Sequence, residues 1–95
     1  MVAYIIAEVE VTNPAQYEEY KKLTPAAVAQ HGGRFVVRGG STAVLEGEWR
    51  PGRLVVLEFP TLEQAKKFYA SVEYTHARRV RAGAANMNII AVEGV

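Results

Sequence analysis

From Val2 to Val11 apolar and polar positions alternate. Ala3, Ile5, Ala7, Val9 and Val11 share one side, and Tyr4, Ile6, Glu8 and Glu10 share the other. That is the period of a strand with one fully apolar face. Asn13-Pro14 changes the period: Asn caps a helix, Pro suits its first turn, and Gln16 stands at capping-box spacing. Tyr17, Tyr20, Thr24, Ala27 and Val28 then fall on one helical stripe. Pro25 removes a backbone donor within it, which predicts a kink or a restart with Thr24 as a second cap. His31-Gly32-Gly33 ends the helix. Arg34 to Arg38 reads as a short strand, Gly39-Gly40 as a bulge or sharp bend, and Thr42 to Glu46 as an extended continuation. Gly47 to Gly52 is a turn. Arg53 to Phe59 holds the unbroken run Leu54-Val55-Val56-Leu57, which predicts a central strand. Thr61 and Gln64 open a second helix with Leu62, Ala65, Phe68, Tyr69 and Val72 as its buried stripe. A further helical stretch, Glu73 to Ala82, stops near Gly83, and Met87 to Val92 is the last strand.

The order β-α-β-β-α-β, with right-handed connections, predicts an α+β fold of ferredoxin-like type. Its sheet is four-stranded and antiparallel, with the helices on one face and the first and third strands central. The other face, with Tyr4, Ile6 and one parity of Leu54 to Glu58, is left bare and asks for a partner. The 95 residues make one domain, 1–95, with a thin core, and no cysteine reinforces it. A homodimer is the expected way to bury more apolar surface. A net charge of +1 predicts no strong attraction to nucleic acid or anionic membrane. The first residues lack the basic start of a signal peptide, and no apolar run reaches the roughly 20 residues that span a bilayer. A cytoplasmic location is the default expectation.

Several motifs appear in order along nearly the whole chain: His31-Gly32-Gly33-Arg34-Phe35, Arg38-Gly39-Gly40, Leu45-Glu46-Gly47 with Trp49, Glu58-Phe59-Pro60, Phe68-Tyr69 with Ser71, Glu73 and Tyr74, and Val92-Glu93-Gly94. Together they resemble the domain-of-unknown-function 1330 family. The resemblance implies the dimeric α/β-barrel superfamily, in which two sheets pack face to face. Fold relatives there include cofactor-free monooxygenases, haem-degrading enzymes, muconolactone isomerases and dyp-type peroxidases. Membership by itself names no reaction.

The chemistry-bearing residues each carry two readings. His31, at a helix end, either satisfies free carbonyls or serves as a general acid/base. Glu58 interrupts an apolar central strand and needs a partner, with Arg38 or Arg53 as candidates; it is a structural ion pair or a perturbed carboxylate in a pocket. Glu8 invites the same pair of readings. Arg38-Gly39-Gly40-Ser41 is either a bend or an anion nest. Tyr17, Tyr20, Phe68, Tyr69 and Tyr74 are ordinary core or the lining of a substrate pocket. Trp49 is expected at a dimer contact, His76 on the surface, and Arg78, Arg79 and Arg81 on a solvated helix face. The two histidines have no ligand spacing and the chain contains no Asp, so no metal site is expected, and no cofactor is implied. The third strand lacks the stacking aromatics of RNA-recognition domains that share this element order.

Two functions follow. One is a small-molecule-binding protein that acts as a cofactor-free enzyme, by proton transfer or monooxygenase-like chemistry, on a small organic or anionic substrate. It would use His31 and Glu58 as acid/base candidates, with Arg38, Tyr69 and Tyr74 holding the ligand. The other is a non-catalytic dimeric metabolite-binding or assembly module. The ligand is expected between sheet and helices, away from the arginine cluster.

Overall fold

In the computed structural model, which describes residues 1–95, the alternating segment Ala3–Val11 is strand β1. Ala3, Ile5, Ala7 and Val9 are buried against the helices. Helix α1 (Pro14–Gln30) starts where the Asn13 side chain accepts the Gln16 backbone N–H at 3.2 Å. The Gln16 side chain does not complete a capping box. Its amide donates to the carbonyls of Val80 and Ala82, at 2.9 and 2.7 Å, and so ties the start of one helix to the end of another.

The remaining elements are β2 (Arg34–Arg38), β3 (Arg53–Phe59), α2 (Leu62–Ala70), α3 (Val72–Arg81) and β4 (Ala85–Glu93). The strands pair antiparallel in the order β2-β3-β1-β4, so the first and third are central, as their apolar runs predict. All three helices lie on the face that carries the buried residues of β1, as the ferredoxin-like arrangement requires. The chain forms a slab of about 36 × 34 × 16 Å, thick enough for one sheet and one helix layer. No helix is long and apolar enough to cross a membrane.

Three local expectations are corrected. Pro25 neither ends α1 nor starts a new cap, and the helix runs through it. The carbonyl that its missing N–H would have served, that of Lys21, accepts from the Thr24 hydroxyl at 3.2 Å and from the Arg38 guanidinium at 3.0 Å. The bulge lies between Phe35 and Val37, and Gly39-Gly40 takes the other form expected of it, a bend with Gly39 at φ +71°. Thr42 to Glu46 pairs with no strand. The expected further helical stretch is present, but Val72 belongs to it and not to the stripe of α2, because the chain breaks at Ser71, whose hydroxyl accepts the Tyr74 N–H at 3.2 Å and caps α3. That break turns Val72 out to 83% exposure and Tyr69 to 38%, while Ala65, Phe68 and Tyr74 stay buried.

The opposite sheet face has no covering layer. Tyr4, Ile6 and Glu8 of β1 stand opposite Glu58, Val56 and Leu54 of β3 on one side, and Val92, Ile90 and Asn88 of β4 on the other. Val37 of β2 continues the apolar row beside Val56. Ile90 is 60% exposed there. Glu8 is satisfied locally, its carboxylate accepting from the Trp49 indole at 3.2 Å and the Gly52 N–H at 3.3 Å. The segment before Trp49 leaves Val44 and Leu45 exposed.

Candidate functional site between helices and sheet

A cavity of about 40 Å³ lies between α1 and the sheet, room for a few water molecules as the side chains stand. Strand parity supplies its floor: Ile5 and Ala7 of β1, Val55 and Leu57 of β3, and Met87 and Ile89 of β4. Helical spacing supplies its roof: Tyr17, Tyr20, Thr24 and Val28 recur on one stripe of α1. Phe68 and Tyr69 come from the end of α2, and Tyr74 from the first turn of α3, where the Ser71 cap places it. Ring centroids of Phe68 and Tyr74 are 4.5 Å apart, and those of Phe59 and Phe68 5.0 Å, so the wall is a continuous aromatic contact.

The buried polar feature is a phenol pair. The hydroxyls of Tyr20 and Tyr74 are 2.7 Å apart. Two O–H groups share one such bond, which leaves one proton to donate elsewhere. Burial, and then the neighbouring Tyr74, push the Tyr20 phenol far above its ordinary value, against a smaller opposing effect of Arg81. Tyr20 is therefore a hydrogen-bond donor and not a base. The consequence for stability has a definite sign. Below a pH of about 10 both folded and unfolded chains keep this proton, and above it only the folded chain does. Stability should fall as pH rises above about 10, and Tyr20→Phe should reduce that decline in urea titrations at pH 9 and 11. An equal decline in both proteins would remove Tyr20 as its cause.

Two arginines stand at the mouth. Arg38 reaches from β2 to the Lys21 carbonyl left free by Pro25, and its guanidinium lies 4.3 Å from the Phe35 ring centroid. Arg53, at the start of β3, has its Nε buried without a hydrogen-bond partner, and its guanidinium stands 5.9 Å from the Tyr17 ring centroid. Neither makes a salt bridge.

Arg38, Tyr69 and Tyr74 of the expected site thus line one cavity. His31 and Glu58 do not, and their convergence with Arg38 is corrected. Glu58 points to the open sheet face because its register partner on β1 is Tyr4. Its partner is neither Arg38 nor Arg53 but Arg34, directly across on β2, with Nε to Oε2 at 2.8 Å. Arg34 is 67% exposed at its side chain, so breaking this pair leaves no buried cation. Glu58→Ala should cost about 1 kcal/mol or less in urea unfolding. A loss of about 3 kcal/mol or more would mean that Glu58 serves a buried pair after all. His31 caps α1 through its backbone N–H, which donates to the Val28 carbonyl at 3.2 Å. Its ring lies edge-on to Phe68, with Nε2 3.8 Å from a Glu73 carboxylate oxygen. His76 is exposed. Of the arginine cluster only Arg79 is exposed; Arg78 and Arg81 lie over the rings of Tyr69 and Tyr20, at 4.3 and 5.3 Å.

Sequence reasoning read Arg53 only as a partner for Glu58, and Tyr20 only as lining. No sequence signal marks Arg53; its guanidinium lies beside Gly39 only through the register that puts Leu54 opposite that glycine.

The family model for a domain of unknown function, DUF1330, matches residues 2–95. The chain belongs to the DUF1330 family. No curated protein matches it in sequence. Among solved structures, this DUF1330 chain is similar to a protein of unknown function from Rhodopseudomonas palustris, with TM-score 0.76 and 16% identity over 99% of this chain and 82% of that one. It is similar to SnoaB, a cofactor-independent oxygenase from Streptomyces nogalater, with TM-score 0.70 and 14% identity over 99% and 93%. A dimeric ferredoxin-like protein of unknown function from Jannaschia sp. gives TM-score 0.72 and 10% identity over 99% and 100%. At these identities the likeness concerns the fold.

Proposed function

We propose that this DUF1330 protein binds a small organic substrate in the cavity between α1 and the sheet and acts on it as a cofactor-free enzyme of proton-transfer or oxygenase type. The observation that carries the reading is a mainly apolar, partly enclosed cavity holding a phenol pair, with one proton to spare and guanidinium groups at its mouth. The two guanidinium groups and the spare phenol proton favour negative charge on a bound molecule; no carboxylate or imidazole lines the wall. Such a site favours the anionic form of a weakly acidic substrate, whose proton leaves to solvent water at the mouth because no base lines the wall. The electron-rich anion so formed can pass electrons to dioxygen, in keeping with the fold likeness to a cofactor-independent oxygenase. Arg38, Tyr69 and Tyr74 are the ligand-holding residues in this reading, joined by Tyr20 and Arg53. His31 and Glu58 lie off this cavity, and their proposed acid/base work would need the substrate to approach another surface.

The working unit is proposed to be a homodimer of the α/β-barrel type. The bare apolar sheet face and the exposed Val44 and Leu45 support it, together with the dimeric ferredoxin-like relative. Enzymatic action is tested with phenols and 1,3-dicarbonyl compounds that give stabilised carbanions. Solvent deuterium exchange at the acidic carbon, or dioxygen uptake at an electrode, should appear with the pure protein and fall at least about tenfold in Tyr74→Phe. Binding without exchange or uptake would favour the non-catalytic module instead. The small volume of the cavity is the observation on that side.

A further inference from the structure

We propose that the substrate class is an amphipathic organic acid. Its anionic group, carboxylate or phenolate, lies between Arg38 and Arg53, and its apolar body runs past Tyr69 toward the groove beside β4. This rests on the helix–sheet cavity being the substrate site, and adds what that site selects.

The charge distribution is the first argument. Arg38 and Arg53 line the interior cavity and also an open cleft of about 360 Å³, whose other walls are Glu18, Lys21 and Lys22. The one carboxylate there is already bonded to Lys21 at 3.1 Å. Lys22 is taken by Glu19 at 3.0 Å. The two guanidinium groups are left without an anion at the threshold of an apolar space. Guanidinium groups hold carboxylates through paired N–H donors, and more strongly where water is partly excluded.

The second argument is that Arg53 is seated. Gly39 has φ +71°, and its N–H donates to the Leu54 carbonyl at 2.8 Å. A Cβ on Gly39 would stand 2.2 Å from Arg53 Nη1. The backbone of this bend is shaped so that the guanidinium can lie against it, which presets the donor before any ligand arrives.

The third argument is the far end. Ile5, Tyr69 and Ile89 are walls common to the cavity and to an open groove of about 380 Å³ between α2 and β4. The groove is otherwise apolar except for Lys66. Tyr69 separates the two spaces, its ring covered by Arg78 and its hydroxyl accepting from Arg78 Nη1 at 3.3 Å. A molecule charged at one end and apolar along its length matches this order of cationic mouth, aromatic wall and apolar groove in polarity, and enters once Tyr69 and its neighbours move to join the two spaces. A free inorganic anion uses only the mouth.

The test is calorimetric titration of the whole chain with 5-phenylpentanoate, with the matching alcohol 5-phenylpentan-1-ol, and with inorganic phosphate. Wild type should bind the acid at least about tenfold more tightly than the alcohol, and phosphate more weakly than either. Arg53→Gln should lose about tenfold toward the acid and keep its affinity for the alcohol. Gly39→Ala should change in the same direction, with circular dichroism reporting that it folds. Equal binding of acid and alcohol by wild type, or unchanged acid binding by Arg53→Gln, overturns the choice of an anion while leaving the pocket standing. Phosphate binding as tight as that of the acid overturns the apolar half. If neither acid nor alcohol binds, the pocket reading itself fails, and this proposal with it.

Discussion

Val56→Glu is expected to leave the chain folded and to turn a dimer into a monomer. Val56 lies at the middle of the open sheet face, between Ile6 on β1 and Val37 on β2. The face continues through Ile90, exposed at the edge strand. In a two-fold interface each copy presents the same patch, so one substitution places two carboxylates in the contact. An unpaired buried charge costs about 3 kcal/mol or more. Twice that corresponds to a dissociation constant raised on the order of 10⁴-fold. The same glutamate in the isolated chain points to water and should leave far-ultraviolet circular dichroism unchanged. Light scattering should then report twice the chain mass for wild type and the chain mass for the variant. A wild type that is monomeric at high concentration would mean that this face is not a dimer contact.

Phe68→Ala should be the most damaging change inside one chain. Phe68 is 1% exposed and packs against Phe59, Tyr74 and the edge of His31. Truncating such a ring typically costs about 3–5 kcal/mol. A domain of this size has roughly 5–15 kcal/mol in all. The variant should therefore melt far below wild type or fail to accumulate. It should also enlarge the cavity, since Phe68 forms part of its wall. A loss of about 1 kcal/mol or less would show that the aromatic wall is not what holds α2 to the sheet and α3. The milder Phe68→Leu should retain most of the stability and tell loss of volume from loss of the ring.

What was legible in the residues followed from period and from caps. The alternation of β1, the apolar run of β3, Asn13 and Thr61 as caps, and the glycines after His31 each act over a few residues, and each appears in the structure. What was not legible depends on register. Glu58 meets Arg34 because β2 and β3 are aligned across a bulge at Phe35–Val37, and valines there carry no bulge signal. Glycine at 39 and 40 signals a bulge or a bend without telling which, and the structure has the bend, with the Arg53 guanidinium lying where a Gly39 side chain would stand. Pro25 looked like an interruption because its consequence, a free Lys21 carbonyl, is answered from another strand by Arg38. Ser71 shows the reverse case. A cap inside a helical stripe is readable in principle, but the stripe Leu62 to Val72 continues smoothly across it, and only the break reveals why Tyr69 stands at the cavity rim and not in the core.

The most direct measurement is a nitrogen-15 titration of the labelled chain with 5-phenylpentanoate, followed by nuclear magnetic resonance. If the helix–sheet cavity is the ligand site, the side-chain Nε–H signals of Arg38 and Arg53 and the backbone amides of Gly39 and Tyr69 should shift together to one saturation curve. Shifts confined to Ile6, Val56 and Ile90 on the open sheet face, or to Arg78, Arg79 and Arg81, would contradict it.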